Sequence, residues 1–496
     1  MALMRSPEYR RDAGRRLTGR AGLFRTVFLI AWLAFGAASP ALSAADETTV
    51  KVDKLFAAWD KTTSPGASLA VIKDGKIVYE RGYGMAKLED GIVNTPEKVF
   101  DIGSVSKQFT AACVAMLVRE GKVGLGDDIR KYIPEMPAYE RPVTVDHLLH
   151  HTSGLRDYNA LLELAGFRAD ADSPTVEEAL EVIRRQKRLN YTPGDEYSYT
   201  NTGFFLLSQI VERVSGRSLN AFAQERIFKP LGMAKTLFQD DHTQIIRDRA
   251  TGYTESDNGF KIAMSNWDET GDGNVYTTVR DLALWDNAFY TGVLGKDLMS
   301  MLQTKGVLNS GKAIDYAWGL VVSEYKGLKV VEHGGSWVGF RAALVRFPEQ
   351  RFSVVILANL DSIDPSGLAF KVADIYLSGQ LKEPPKDEAK KEAEAKAAQG
   401  NAAITVSPAE LAAYAGAYVS EELLDTRYLL SVDKGTLVLK ARDTPRVELK
   451  AMAPDKFTAP GFGLNIDFVR GKGGRVTGFR LSVGRAAGIA FSKDGR

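Results

Sequence analysis

Apolar and polar positions alternate through SPGASLAVIKDGKIVYERGYGMA on either side of Asp74-Gly75, a spacing that predicts two antiparallel strands joined by a tight turn. From Gln108 the stretch FTAACVAMLVREG is apolar on more than one face and contains no proline, which predicts a buried helix ending at Gly121. Ser104 then falls just before that helix or in its first turn. Helical and loop patterns dominate from about Tyr132 to Tyr325. Strand patterns return in LKVVEHGG, FRAALVRFPEQ and RFSVVILAN, the first of them ending at His333-Gly334-Gly335. Strands at both ends with helices between them predict an α+β fold, one antiparallel sheet closed by the two ends of the region plus an inserted helical lobe.

The pattern breaks from Leu381 to Ala403, where LKEPPKDEAKKEAEAKAAQGNAA pairs prolines with a run of Lys, Glu and Ala and reads as a linker with a solvated helical piece. Beyond it, short alternating runs such as RYLLSVD, TLVLKA, LNIDFVR and VTGFRLSVG predict a small β domain, a barrel or a curled sheet. The expected division is therefore an export segment over 1–45, a main domain over 46–380, a linker over 381–403 and a β domain over 404–496.

The export segment joins a basic stretch, MRSPEYRRDAGRRLTGR, to the apolar run VFLIAWLAFGAA and the small residues of ASPALSAADE, with cleavage expected near Ser43 to Ala45. The apolar run from Val27 to Ala38 is well short of the ~20 residues that a spanning helix needs, so a cleaved signal is expected and the product is periplasmic or secreted. The formal charge of +2 on 496 residues misleads, because seven arginines lie in those first residues. Without them the chain is mildly acidic, roughly −3, which gives no electrostatic reason to expect nucleic acid or an anionic membrane as partner. Cys113 is the single cysteine, so no internal disulfide can form, and its apolar setting suits a small buried side chain.

Candidate chemistry begins with Ser104-Val105-Ser106-Lys107. On a helix, residues i and i+3 share a face, so this spacing brings the Lys107 amine beside the Ser104 hydroxyl. A serine needs a neighbour to take its proton, and a buried amine with a depressed pKa can do so; the helix start adds a dipole that favours developing negative charge. Alone, the motif is a weak signal, better explained by a capping serine followed by a surface lysine. The chain has no G-x-S-x-G elbow, which argues against an α/β-hydrolase. Two further pieces change the balance: Tyr199 and Asn201 as Y-x-N before an apolar helix, and His333-Gly334-Gly335 in VVEHGGSWVGFRA.

In this order the three pieces resemble the serine β-lactamase and penicillin-binding protein superfamily, most closely its class C-like branch. HLLHHTSGL, GNVYTTVRD and RFPEQRFSVVILAN extend the resemblance over roughly Val52 to Ser378. The resemblance implies that Ser104 is the acylated nucleophile and Lys107 its proton partner. Tyr199 would be a phenolate-like base or a relay, and Asn201 would bond the substrate carbonyl or Lys107. His333 would take the first position of the K-T-G or H-x-G strand, facing the serine, with Gly335 and Ser336 at the substrate. The backbone N–H groups of Ser104 and Ser336 would form the oxyanion hole. A largely neutral imidazole at the lysine position attracts a carboxylate less than an ammonium does, which points away from efficient β-lactam hydrolysis. Esterases, D-amino-acid peptidases and weak β-lactamases stay open, as does a lipocalin-like identity for the C-terminal β domain, which either covers the cleft or binds a partner.

Two rivals from other classes remain. One is a non-catalytic protein that keeps the fold to bind a ligand or peptidoglycan. The other is a metal site at His147, His150 and His151, whose spacing can share a helix face but lacks the glutamate of the zinc-protease signature. No cofactor or metal is expected. The expected partners are small esters, β-lactams or peptides, with peptidoglycan fragments among them. Trp337 and Arg341 are each as well explained by strand packing and surface charge as by substrate contact, Arg341 being the candidate to replace the missing lysine. The loops from Leu155 to Asp172 and Phe238 to Asp272 are expected to shape the cleft.

Overall fold

A computed structural model describes residues 47–382, 404, 406–441 and 446–495. The expected export segment and nearly all of the linker lie outside the described residues. Among those described, no helix is long and apolar enough to cross a membrane.

Six antiparallel strands form the main sheet in the spatial order Val321–Tyr325, Leu328–Trp337, Phe340–Phe347, Phe352–Ala358, Ala67–Lys73, Lys76–Tyr83. Asp74, with φ of 52°, and Gly75 make the tight turn between the last two. Ala67–Lys73 pairs with Phe352–Ala358 over its whole length, so strands from the two ends of the domain close the sheet. Both central strands are buried on both faces, which is why ASLAVIK and FSVVILA are nearly continuous apolar runs rather than alternating ones. One face packs under the helices Glu47–Phe56 and Pro365–Tyr376 around Phe56, Val354 and Val372. The other faces the helical lobe, with Phe109, Trp285 and Val355 in its core.

The helix expected from Gln108 runs Lys107–Arg119, preceded by a 3-10 turn over Gly103–Ser106 that carries Ser104. The strand expected to end at Gly335 continues to Trp337, because the pairing Ser336↔Arg341 and Trp337↔Phe340 extends the hairpin. The C-terminal region is a closed eight-stranded barrel, sealed where Tyr418 pairs with Lys493. Closure leaves no free edge, and the strand TRYLLSVD alternates buried with exposed positions over its first six residues.

The barrel is packed against the helical lobe, whose apolar core runs on into that of the barrel. The turn Glu421–Leu423 meets the helix Tyr158–Ala165, and Glu422 is the centre of this contact. Its carboxylate receives Arg156 Nη1 at 3.0 Å and the backbone N–H groups of Lys187 and Ala490. Thr426 and Tyr428 donate to the carbonyls of Ala165 and Leu164.

Candidate active site

Ser104 sits on a turn held from both sides. Gly103 adopts φ of +48° and its N–H donates to Asp101 Oδ1 at 2.7 Å, which fixes the bend before the serine. Ser106 Oγ accepts from Val275 N, and Thr110 Oγ1 donates to Gly271 O, tying the serine helix to the segment Gly271–Val275. Ser104 is left as the partly exposed member of an otherwise buried turn.

Lys107 is fully buried, and its three ammonium protons have three acceptors: Ser104 Oγ at 3.0 Å, Asn201 Oδ1 at 2.9 Å and Asp272 O at 2.7 Å. Burial lowers its pKa to about 8 against the opposing pull of the Asp272 and Asp157 carboxylates, and the positive Arg485 adds to the lowering. Asn201 opens the helix Asn201–Ser215. Its amide oxygen is taken by Lys107, so its NH₂ group is the part left to face the cleft. Its backbone N–H donates to Asp157 Oδ2 at 2.7 Å. Asp157 also caps the helix Tyr158–Ala165 through Ala160 N, so one buried carboxylate sets the starts of two helices.

Tyr199 lies over Lys107, with Nζ 5.0 Å from the ring centre. Its hydroxyl is shielded from solvent and has no hydrogen-bond partner among the described residues. Burial pushes the phenol far up, and the neighbouring Ser104 hydroxyl pulls it partly back. The ring rests on His151 at 4.2 Å, and Tyr316 stands edge-on to Tyr199 at 5.9 Å. His333 is brought beside Tyr199, at 6.1 Å between rings, yet it is only 6% exposed. The Tyr316 hydroxyl meets its Nε2 at 3.0 Å and Gly334 O meets its Nδ1 at 2.6 Å, an arrangement assigned to the neutral tautomer with Nδ1–H donating. Burial and then the Lys107 charge hold His333 down to about 4. The expectation that His333 faces the serine across an open cleft is thus modified: the ring backs onto the tyrosines and is absent from the cleft lining.

Gly335 and Ser336 bring the strand Leu328–Trp337 against the serine turn. A Cβ on Gly103 would lie 2.7 Å from Ser336 N, and one on Gly335 would lie 3.3 Å from Ser104 N and collide with the Ile102 carbonyl. The seam between strand and turn therefore has room only for glycine, and the two amides of Ser104 and Ser336 stand at it. Gly335→Ala is expected to force the strand off the turn, costing about 1–3 kcal/mol in urea unfolding and lowering turnover more than substrate affinity.

The cleft holds about 200 Å³ and is lined by Ser104, Asn201, Trp267, Glu269, Asp272 and Trp337 among others. Its walls include the segments Asp157–Glu163 and Trp267–Asn274, inside or adjoining the two loops expected to shape it. Arg485, from the barrel hairpin between Val476–Val483 and Ala486–Lys493, also reaches the lining. Its guanidinium is 3.4 Å from Asp157 Oδ2 and 5.6 Å from the Tyr199 ring centre, and its carbonyl accepts from Asn190 Nδ2 at 2.9 Å. Arg341 instead donates to the carbonyls of Val338 and Phe340 in its own hairpin. Trp337 does reach the cleft, with its ring 5.4 Å from that of Trp267. Sequence reading missed Asp157, Asp272 and Arg485; the first follows T-S-G-L and the second adjoins GNVYTTVRD, but nothing local marks the third.

The three clustered histidines go separate ways. His147 closes a capping box with Thr144. His150 Nε2 faces Thr304 O at 3.2 Å, and its Nδ1 lies 3.1 Å from Asp146 Oδ1. His151, with φ of 55°, packs among Tyr199, Phe204 and Tyr316.

Residues 52–378 match the Beta-lactamase family. A D-aminopeptidase of Brucella anthropi is 35% identical over 321 residues, 63% of this chain and 59% of its own length. Penicillin-binding protein 4* of Bacillus subtilis is 27% identical over 423 residues, covering 80% of this chain and 88% of that protein. The solved structure of the octameric penicillin-binding protein homologue from Pyrococcus abyssi matches with a TM-score of 0.59 and 25% identity, over 90% of this chain and 99% of its own. The chain thus spans about three fifths of the D-aminopeptidase it matches, and almost all of the archaeal protein. A family match over two thirds of the sequence, on a sheet and serine turn of this geometry, leads to one conclusion: this chain belongs to the beta-lactamase family of serine hydrolases.

Proposed function

We propose that the chain hydrolyses amides of D-amino acids through an acyl-enzyme on Ser104, with simple esters as secondary substrates. The observation that carries this reading is the buried Lys107 amine, 3.0 Å from Ser104 Oγ and lowered toward neutral pH by its setting. Its support in chemistry class comes from the relative named D-aminopeptidase. A site that keeps His333 neutral and lacks a lysine there gives a β-lactam carboxylate little to bind.

In the proposed sequence the neutral Lys107 amine takes the Ser104 proton as Oγ bonds to the carbonyl carbon. The carbonyl electrons move onto oxygen between the Ser104 and Ser336 amides. Collapse breaks the C–N bond, and the leaving amine takes a proton from the Tyr199 hydroxyl, which is refilled from the Lys107 ammonium. Water then attacks the ester, its proton passing through Tyr199 to Lys107 and on to Ser104 Oγ as that leaves. Because burial drives the Tyr199 phenol up, it serves as a relay rather than as a standing phenolate. His333 holds Tyr316, which packs against Tyr199, so its part is to position the relay. We place the enzyme outside the cytoplasm on the strength of its first 45 residues, where short peptidoglycan peptides would offer D-amino-acid amides.

The test is intact-protein mass after a fluorophosphonate, beside hydrolysis of D- and L-alanine p-nitroanilide. An adduct that vanishes in Ser104→Ala, with the D-anilide cleaved at least about tenfold faster than the L-form, is the expected result. No adduct and no turnover would favour a binding protein that retains the fold.

A further inference from the structure

Glu269 is 3% exposed and lines the cleft beside Ser104, yet neither of its carboxylate oxygens has a hydrogen-bond partner among the described residues. Slack in the loop does not explain this. Asn274 Nδ2 donates to Trp267 O at 2.7 Å and to Glu269 O at 3.0 Å, pinning the backbone at Glu269 and on the other side of Asp268. Nor does the proposed proton path use it, since Lys107 spends its three donors on Ser104, Asn201 and Asp272 O. A buried carboxyl group with no partner from another residue is costly, and such a group in a cleft marks the place of an absent partner.

The surroundings say what that partner is. Burial first, and then the acidic charges of Asp272, Asp268 and Glu178, hold the Glu269 carboxyl up to about 8 against the opposing pull of its own backbone N–H. Arg485, the cation in the lining, is turned to Asp157 and Tyr199. The occupant must therefore bring its own positive charge. The Trp267 and Trp337 rings form an apolar wall in the same cleft, against which a side chain can lie.

We infer that Glu269 is the receptor for the α-ammonium of an unblocked N-terminal residue, whose side chain lies against Trp267 and Trp337. This rests on the amidase reading of Ser104 and adds a requirement to it: the residue that acylates the serine carries a free amine. The carboxyl then ionises against the incoming ammonium, its proton leaving to solvent, and its oxygens gain their donors when such a substrate is bound.

The experiment compares D-phenylalanine p-nitroanilide with its N-acetyl form in wild type and in Glu269→Gln, which keeps shape and removes charge. The wild type should prefer the free amine, and the variant should lose roughly 30-fold or more of that preference in kcat/KM, chiefly through KM. An unchanged ratio, or a wild type that prefers the acetylated form, overturns the inference while leaving the amidase reading intact. Should neither anilide be cleaved although Ser104 takes a fluorophosphonate, the amidase reading falls. Glu269 is then read by competition: D-phenylalanine amide should slow labelling of wild type but not of Glu269→Gln, and equal protection of both would sink it. If Glu269→Gln does not take the label, Glu269→Asp carries the same comparisons, with the charge withdrawn by one methylene and a smaller loss of preference expected.

Discussion

Lys107→Met is expected to leave a folded protein whose kcat/KM on ester and anilide substrates falls by about 10³-fold, with fluorophosphonate labelling of Ser104 slowed in parallel. Methionine nearly fills the volume, so the change falls on chemistry rather than packing. The pH profile makes the assignment specific. Lys107 is lowered from 10.5 to about 8, so it is a free amine above that pH and an ammonium below it. Wild-type acylation should therefore rise as pH climbs through 8 and level off beyond, and the variant should have no such limb. Arg485 is one of the charges that lowers Lys107, so Arg485→Met should carry the wild-type limb to higher pH. A limb that does not move would mean that the barrel's arginine has no electrostatic hold on the site.

Glu422→Ala is the second large effect. Arg156 and Glu422 are 2% and 5% exposed as side chains, and truncating the acid leaves a buried guanidinium with Gln186 Oε1 but no counter-charge, and the N–H groups of Lys187 and Ala490 without their acceptor. Breaking a buried pair from one side costs about 3–5 kcal/mol. The loss should show as an earlier urea midpoint, or as a separate first transition if the barrel releases before the sheet unfolds. Turnover should fall as well, because Arg156 precedes Asp157, the carboxylate that holds the Asn201 N–H and faces Arg485. A variant with wild-type stability and activity would show that the barrel is a passenger.

Much of this was legible along the chain. The hairpin at Asp74-Gly75, the buried helix after Ser104 and the returning strands each follow from a local pattern whose period matches its burial. The approach of Lys107 to Ser104 follows from helical spacing alone. Tyr199 and Asn201 were found through their company, since Y-x-N before an apolar helix has a structural explanation that no local rule excludes. The course of the strand past Gly335 is not legible for a related reason: a turn and a close approach both want glycine, and only the fold shows that the Ile102 carbonyl leaves no room for a Cβ at Gly335. That crowding lies between residues more than two hundred positions apart.

The sequence by itself determined the period-two and helical elements, the β character of the C-terminal region and the serine–lysine pair, because each is written in contacts between near neighbours. The tertiary structure alone decided the electrostatics. Lys107 is lowered because the fold buries it. His333 is neutral because the fold seats it behind Tyr316. Glu269 is held protonated because burial and acids from two segments, its own loop and the helix of Glu178, act on it. Arg485, more than a hundred residues beyond the H-G-G strand, belongs to the site only because the barrel that carries it docks through Glu422. Desolvation and Coulomb interactions depend on distances that chain order does not encode, so Lys107 and His333 could be named from the chain, while their charge and the presence of Glu269 and Arg485 in the site could not.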